Sequence, residues 1–308
     1  MNILITGGAG YIGSELVSVL LKNHKVTVLD NLMYDKGTLL SYTQNSDFTF
    51  IKGDVRDLRT LKGLVPSYDA IIPLAALVGF PLCDRKPREA QEINHDINTW
   101  IANNKSKDQM VIYPCTNSGY GVSKDGSVCT EESPLHPVSL YGKTKVAAES
   151  DFKNVENHVT FRLATVFGPS RRMRSDLLVN NFVLRALKDK ILVLYECEFM
   201  RNYIHIFDVC RAFNFVLNNW EMCKNETYNV GNDFINMNKL QLAETINKHI
   251  PIEIIKAEFN SDPDIRDYIV SSEKFYCKGF QCKYDLDDGI KQLIKAYEMI
   301  DSPWYANY

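Results

Sequence analysis

Short apolar runs rich in β-branched residues alternate with longer helical patterns through the first half of this 308-residue chain. Each run is bounded by Gly, Asp or Pro and has the length of a strand buried on both faces; the runs are residues 3–5, 26–29, 48–51, 70–72 and 110–113. A sixth strand is predicted at residues 159–163. Between the first two runs, Ile12, Leu16 and Leu20 recur at helical spacing and predict a helix that covers the sheet. This order predicts right-handed βαβ units and therefore an α/β fold with a doubly wound parallel sheet.

The alternation of strands and helices changes after Gly168, and we predict two domains on that basis. A length of 308 residues fits two domains of about 150 residues each. Residues 1–168 would form the domain with the doubly wound sheet. Residues 169–308 would form a smaller, mixed α/β lobe. The segment 204–231 could return to the first domain, because residues 227–231 are typical of a strand.

Composition and charge exclude several classes of function. The chain has 35 Lys and Arg residues against 38 Asp and Glu residues, a net charge of −3, so it has no overall basic field for a nucleic acid or an anionic membrane. No apolar stretch reaches the roughly 18 residues of a membrane span, and the N-terminus enters a strand without a charged leader, which predicts a cytoplasmic protein. The eight cysteines are scattered singly and predict reduced thiols rather than a metal site.

A glycine-rich turn follows the first predicted strand and opens the first predicted helix. Gly7, Gly10 and Gly13 recur every three residues, as a turn requires when a diphosphate approaches the main chain and a helix packs closely on a strand. Together with the N–H groups of Tyr11 and Ile12 at the helix start, they predict a Rossmann-type dinucleotide site. Such a turn also occurs for structural reasons alone, but its place between strand and helix favours the binding site.

Residues at the ends of the next strands extend this predicted site. Asp30 ends the second strand, where its carboxylate would bind the ribose 2′-hydroxyl and repel the extra phosphate of NADP. We therefore predict NAD as the cofactor. Ligands of doubly wound sheets gather at the carboxyl ends of strands, and the further candidates there are Asn31, Asp54, Val55, Leu74, Ala75 and Ala76. Asp54, Val55 and the residues after the fourth strand could instead be ordinary turn chemistry.

Tyr141 and Lys145 lie one turn apart on a predicted helix and therefore on one face of it. A fixed positive charge favours the ionised form of a nearby phenol, so Lys145 is expected to lower the pKa of Tyr141 and make it a general base. Thr116 follows the fifth predicted strand and adds a hydroxyl. A Tyr and a Lys at this spacing also occur on solvated helix faces, but the glycine-rich turn upstream favours a catalytic pair.

These motifs together resemble the extended short-chain dehydrogenase/reductase family, in its nucleotide-sugar epimerase and dehydratase branch. The resemblance covers nearly the whole chain. It implies that Tyr141 is the base and that Lys145 modulates it and binds the nicotinamide ribose. It also implies that Thr116 hydrogen-bonds the reacting sugar hydroxyl, with Ser118 as the alternative, and that Asn94 lies near the cofactor.

The residues after the threonine distinguish between the chemistries of this branch. Relatives that eliminate water carry an Asp-Glu pair there, whereas this chain has Asn117 and Ser118, which do not titrate near neutrality. The resemblance therefore disfavours 4,6-dehydration and implies hydride transfer from C4 of a nucleotide-diphosphate sugar to NAD, by a 4-epimerase or a 4-dehydrogenase. Residues 75–84 and 115–121 look similar to the bacterial GDP-heptose 4-dehydrogenase/epimerase group. The alternative is a sensor that binds NAD(H) without catalysis, which has no need of a poised base.

The resemblance also implies a substrate site in the C-terminal lobe. Arg201 and Arg266 resemble the two phosphate-binding positions of the family, although Asp267 beside Arg266 also fits a paired surface arginine. Asn180 is a further candidate for contact with the substrate diphosphate.

Two more features remain open from the sequence. The cluster of Arg171, Arg172 and Arg174 could line the substrate cleft and attract an anion, or it could be a solvated loop. The resemblance further implies a homodimer formed through the helices that contain Trp100 and Tyr141, although Trp100 could instead belong to the core.

Overall fold

The computed structural model describes residues 1–34, 37–123, 127–257, 266–300 and 307. Its strands are β1 Asn2–Thr6, β2 Lys25–Asp30, β3 Phe48–Lys52, β4 Ala70–Pro73, β5 Met110–Thr116, β6 Val128–Cys129, β7 His158–Leu163, β8 Thr165–Phe167, β9 Ile191–Tyr195, β10 Met200–His205, β11 Glu226–Val230, β12 Asn232–Asn238, β13 Glu253–Ala257 and β14 Ile269–Val270. Its α-helices are α1 Tyr11–Leu20, α2 Leu58–Leu64, α3 Phe80–Arg85, α4 Pro87–Gln91, α5 Ile97–Asn104, α6 Leu140–Phe152, α7 Leu178–Lys188, α8 Ile206–Asn218, α9 Trp220–Cys223, α10 Lys239–His249, α11 Glu273–Tyr276 and α12 Leu286–Glu298.

Seven parallel strands form the central sheet, in the order β11-β7-β5-β4-β1-β2-β3. The chain runs outward from β1 to β3, crosses back to β4 on the other side of β1, and then runs outward again. The strand order therefore reverses between β1 and β4, and ligands of such sheets bind at the carboxyl ends of the strands on either side of this point. The predicted α/β fold with a doubly wound sheet is confirmed, and all six predicted strands lie in it.

Helices cover both faces of the sheet, as alternate residues of β1 show. Ile3 and Ile5 pack into one hydrophobic core, which α1 and α8 close, whereas Leu4 packs into a second core closed by α2, α5 and α6. All three side chains are fully buried. Burial on both faces is the reason that these strands lack an alternating polar pattern.

The expectation that every predicted strand is buried on both faces is wrong for β3. Among the described strands it is the last in the sheet and pairs with β2 alone. Phe50 in its centre is 37% exposed, whereas Ile71 in the interior strand β4 is fully buried. An edge strand has a neighbour on one side only, so a short apolar run does not by itself distinguish an edge from an interior position.

The C-terminal residues build a smaller, mixed α/β lobe, as predicted. It contains a mixed sheet with the order β12-β10-β8 and the parallel pair β13-β9. A third core lies between α7, α10 and α12 and includes Leu184, Ile246 and Leu293. The chain returns to the central sheet at β11, which pairs with β7. The domain boundary at residue 168 stays a prediction.

Three further findings concern the described residues alone. The longest α-helices (α6, α8 and α12) have 13 residues, and none of the described helices could cross a lipid bilayer. The eight cysteines are free thiols, and six of them are buried. Within the same described ranges, no group of three or more His, Cys, Asp and Glu side chains could hold a metal ion.

Candidate active site

A cavity of about 780 Å³ lies at the carboxyl ends of the central strands and extends to residues of the C-terminal lobe. Its size and its mixed apolar and polar lining are typical of a ligand site. The predicted site residues that line it are Gly7, Gly10, Tyr11, Ile12, Gly13, Asp30, Asn31, Asp54, Val55, Leu74, Ala75, Ala76, Thr116, Ser118, Tyr141, Lys145, Arg201 and Arg266. Asn94 and Asn180 are the two predicted site residues that do not line it.

The glycine-rich turn at one end of this cavity has no room for a side chain at Gly7 or Gly13. Gly7 adopts a φ of +73°, and a Cβ atom there would lie 2.5 Å from the backbone nitrogen of Ala75. A Cβ atom on Gly13 would lie 2.6 Å from the Cα atom of Gly8. Gly10 precedes α1 and offers no side-chain cap to the first N–H groups of the helix. These N–H groups suit an anion at the positive end of the helix dipole.

The Asp30 carboxylate lies beside this turn and is held in place by the backbone. It accepts hydrogen bonds from the N–H groups of Ala9 at 3.0 Å and Leu32 at 2.8 Å. Burial raises the pKa of Asp30, and these two hydrogen bonds oppose that rise. A carboxylate has about four acceptor positions, so two remain for ribose hydroxyls.

Asn94 supports the cofactor end of the cavity and does not line it. Its side chain is fully buried, accepts from the N–H of Leu77 and donates to the carbonyl of Leu77, both at 2.9 Å, and donates to Thr144 Oγ1 at 3.4 Å. These bonds tie the segment after β4 to α6. The described contacts of the amide are thus with the protein itself, and the expected place of Asn94 near the cofactor stays a prediction.

The side chain of Asn180 likewise bonds within the protein, and its contact with the diphosphate stays a prediction. The residue is fully buried, accepts from the N–H of Gly168 at 3.0 Å and donates to the carbonyls of Gly168 at 3.2 Å and Arg174 at 2.9 Å. Tyr11 joins this cluster, because its hydroxyl donates to the carbonyl of Gly168 at 2.7 Å. The phenol of Tyr11 thus fixes the chain at Gly168, and the predicted cofactor contact is limited to its backbone N–H.

Tyr141 and Lys145 both line the cavity from α6, but their electrostatics differ from the prediction. Burial lowers the pKa of Lys145 to about 8, and its Nζ atom lies 4.3 Å from the ring centroid of Tyr113. Burial also raises the pKa of Tyr141, against opposing effects of Arg174 and Arg266. The pKa of Tyr141 is therefore raised rather than lowered as predicted, because desolvation of the phenolate outweighs the effect of nearby cations.

Thr116 and Ser118 form a hydrogen-bonded pair at the sugar end of the predicted site. Thr116 Oγ1 donates to Ser118 Oγ at 3.1 Å, and Arg266 Nη1 donates to the same oxygen at 2.6 Å. Because Ser118 Oγ accepts twice, its own hydrogen is left to donate to a ligand. The sequence suggested Arg266 as a phosphate ligand; the structure places its guanidinium group against Ser118.

The arginine cluster after Gly168 divides into an outer and an inner part. Arg171 is 39% exposed in its side chain and pairs with Glu15 at 2.6 Å. Arg172 and Arg174 are 3% and 8% exposed and line the cavity, with Arg174 paired to Asp176. The alternative of a solvated loop is thus correct for Arg171 alone.

Sequence reasoning missed several residues that line the cavity. Apart from the arginine cluster after Gly168, they include Tyr34, Tyr195, Lys239, Tyr268 and Asn181. Helical phase could have favoured Asn181 over Asn180, because Asn180 lies on the buried face of α7 with Val183 and Leu184. The other positions follow from chain segments that meet only in the folded protein.

Comparisons with known proteins identify the family of the chain. Residues 3–231 match the NAD dependent epimerase/dehydratase family. The chain belongs to this family. The low-salt glycan biosynthesis protein Agl12 of Haloferax volcanii is 28% identical over 96% of this chain and 98% of its own length. The dTDP-D-glucose 4,6-dehydratase of Bos taurus is 26% identical over 96% of this chain and 88% of its own length.

Solved structures resemble the whole chain of this epimerase/dehydratase family member. UDP-glucuronic acid 4-epimerase from Bacillus cereus, in complex with UDP-glucuronic acid and NAD, has a TM-score of 0.86 at 25% identity, over 97% of this chain and 99% of that chain. The family assigns NAD as the cofactor, as predicted. The tight turn at Gly7, the uncapped start of α1 and the Asp30 carboxylate fit a dinucleotide.

Proposed function

We propose that this protein oxidises C4 of a nucleotide-diphosphate sugar, as a 4-epimerase or a 4-dehydrogenase. The observation that carries the proposal is the meeting of Tyr141, Lys145 and the Thr116–Ser118 pair in one cavity with the dinucleotide turn. Relatives named as 4,6-dehydratases and solved structures named as 4-epimerases support the substrate class. GDP-heptose is one candidate substrate.

The residues of this chain would divide the chemistry between them. NAD supplies the hydride acceptor when it is bound. Thr116 and Ser118 would hydrogen-bond the sugar 4-hydroxyl, and Tyr141 would take its proton as the hydride leaves C4, so that a ketone forms. Lys145 would bind the nicotinamide ribose and keep a positive charge beside the phenol.

A tyrosine with its ordinary pKa near 10 is protonated at neutral pH, and burial raises the pKa of Tyr141 further. The oxidised nicotinamide ring carries a positive charge, which favours an ionised phenol nearby. Arg174 and Arg266 act in the same direction. We infer that Tyr141 becomes a base only in the complex with oxidised cofactor.

The acidic residues of the cavity argue against loss of water from the sugar. Dehydration needs an acid for the departing hydroxyl and a base at C5. The carboxylates that line the described cavity are Asp30, Asp54 and Asp176. Asp30 belongs to the predicted ribose site, Asp54 is paired with Arg56 and Asp176 with Arg174. Asn117 and Ser118, after Thr116, supply neither an acid nor a base.

A panel of nucleotide sugars tests the proposal against the NAD-sensing alternative. Purified protein with NAD is incubated with UDP-glucose, UDP-glucuronic acid, dTDP-glucose and GDP-heptose, and absorbance at 340 nm and product stereochemistry are followed. Inversion at C4 without lasting absorbance indicates a 4-epimerase, and lasting absorbance with a 4-keto product indicates a 4-dehydrogenase. A 4-keto-6-deoxy product, or no conversion of any sugar, contradicts the proposal. The homodimer and the GDP-heptose specificity stay predictions.

A further inference from the structure

The loop of residues 168–177 joins β8 to α7 and is fastened to the start of α1. Ser170 Oγ donates to the carbonyl of Tyr11 at 2.7 Å. Arg171 donates from its backbone N–H to Glu15 Oε1 at 2.7 Å, and from Nη1 to Glu15 Oε2 at 2.6 Å. These bonds hold the loop beside the helix end whose N–H groups suit a phosphate.

Arg172 extends from this loop to the segment after β2. The centre of its guanidinium group lies 4.6 Å from the ring centroid of Tyr34, and both residues line the cavity. Tyr34 follows Asp30, the predicted ribose ligand, by four residues. The loop therefore contacts both α1, through Ser170 and Arg171, and the segment after β2, through Arg172; these are the two elements that would flank the diphosphate of a dinucleotide.

The charge of Arg172 is not balanced by the described part of the protein. The residue is 3% exposed, its Nη1 donates to the carbonyl of Met173 at 3.0 Å, and its Nε has no acceptor among the described residues. The nearby carboxylate of Asp176 is paired with Arg174. A guanidinium group stays charged in proteins, and a buried charge without an anion is costly. The site is therefore built for an anionic ligand.

We propose that Arg172 binds the diphosphate of NAD from the 168–177 loop, which its bonds to α1 already hold beside the cofactor site. A guanidinium group matches phosphate oxygens through two parallel hydrogen bonds, and the Nε–H of Arg172 is available for one of them. The ring of Tyr34 keeps the guanidinium plane in place. Arg201, in the C-terminal lobe, stays the predicted ligand of the diphosphate of the sugar nucleotide.

Ion pairing between Arg172 and the diphosphate would slow the release of NAD. If the proposed function is correct, a retained cofactor returns its hydride to the sugar from which it came, which favours the 4-epimerase over the 4-dehydrogenase. Binding and release of NAD are measured without turnover, so this inference can fail independently of the proposed sugar chemistry.

The test compares NAD binding by the full-length protein and three variants, after removal of any bound nucleotide. Arg172→Ala is expected to raise the Kd for NAD by about tenfold or more and to speed its release, because charge-assisted hydrogen bonds are lost. Arg172→Lys keeps the charge without the planar donor pair and should give an intermediate Kd. Arg185→Ala removes one positive charge from the exposed face of α7 and should leave the Kd unchanged. Circular dichroism melting verifies that each variant is folded.

Ligand fragments identify which diphosphate Arg172 binds. In Arg172→Ala, affinity for ADP-ribose should fall as much as affinity for NAD, whereas affinity for adenosine, which has no phosphate, should not change. Affinities for UDP, GDP and dTDP should also stay the same. An unchanged Kd for NAD in folded Arg172→Ala and Arg172→Lys would overturn the proposal. A loss confined to UDP, GDP or dTDP would also overturn it, since Arg172 would then bind the substrate diphosphate.

Discussion

Tyr141→Phe lowers kcat by roughly 10²–10⁴-fold, because the variant keeps the ring and loses the proton acceptor for the sugar hydroxyl. The side chain lines the cavity from α6, and removal of one oxygen leaves the packing of the ring intact. NAD binding should change little. The measurement is kcat and KM with the sugar that the panel identifies, together with the Kd for NAD.

Tyr228→Phe is the matched control for this variant. Tyr228 is fully buried, and its hydroxyl donates to the carbonyl of Cys223 at 3.2 Å, on the side of the sheet closed by α1 and α8. Tyr228→Phe also removes a phenolic oxygen, but Tyr228 does not line the cavity. Its kcat should therefore stay near that of the unmodified protein. Equal kcat values for Tyr141→Phe and Tyr228→Phe would remove Tyr141 from the mechanism.

Gly7→Ala weakens both the fold and the cofactor site. The backbone at φ +73° is unfavourable for alanine, and the new methyl carbon would lie 2.5 Å from the backbone nitrogen of Ala75. We expect the free energy of unfolding to fall by about 1–3 kcal/mol from backbone strain, with a further loss from the contact. If the turn shifts to relieve this strain, the Kd for NAD rises by about 10- to 100-fold. Urea unfolding and NAD titration measure the two effects.

Gly63→Ala provides the comparison for Gly7→Ala. Gly63 lies in α2, does not have a positive φ, and a Cβ atom there meets nothing within 4 Å. The substitution should stabilise the fold by about 0.4–1 kcal/mol through a less flexible unfolded chain. A Gly7→Ala protein as stable as Gly63→Ala, with unchanged NAD affinity, would show that the turn does not need glycine.

The fold and the cofactor end of the site could be predicted because their signals are local. Gly7, Gly10 and Gly13 lie within seven consecutive residues that lead from β1 into the first turn of α1, so the local sequence predicts their place. The interior strands follow from their apolar runs. The run of β3 is similar, but its exposure follows from its edge position, where it pairs with β2 alone among the described strands.

The sugar end of the site could not be predicted to the same degree, because it is assembled from distant segments. Ser118 and Arg266 are separated by 148 positions and share a hydrogen bond. Asn180 is a predicted contact of the substrate diphosphate, yet the phase of α7 turns its amide toward Gly168. The pKa of Tyr141 depends on burial, which the spacing of Tyr141 and Lys145 does not reveal.

The central claim is that the hydride at C4 of the sugar passes to NAD. Its most direct test uses the nucleotide sugar that the panel identifies, labelled with deuterium at C4, and follows the label by NMR and mass spectrometry during the first turnover. The account predicts that deuterium appears on the nicotinamide ring or back at C4 of the inverted sugar, with none in water. Release of the label to water, with an unlabelled cofactor, would contradict it.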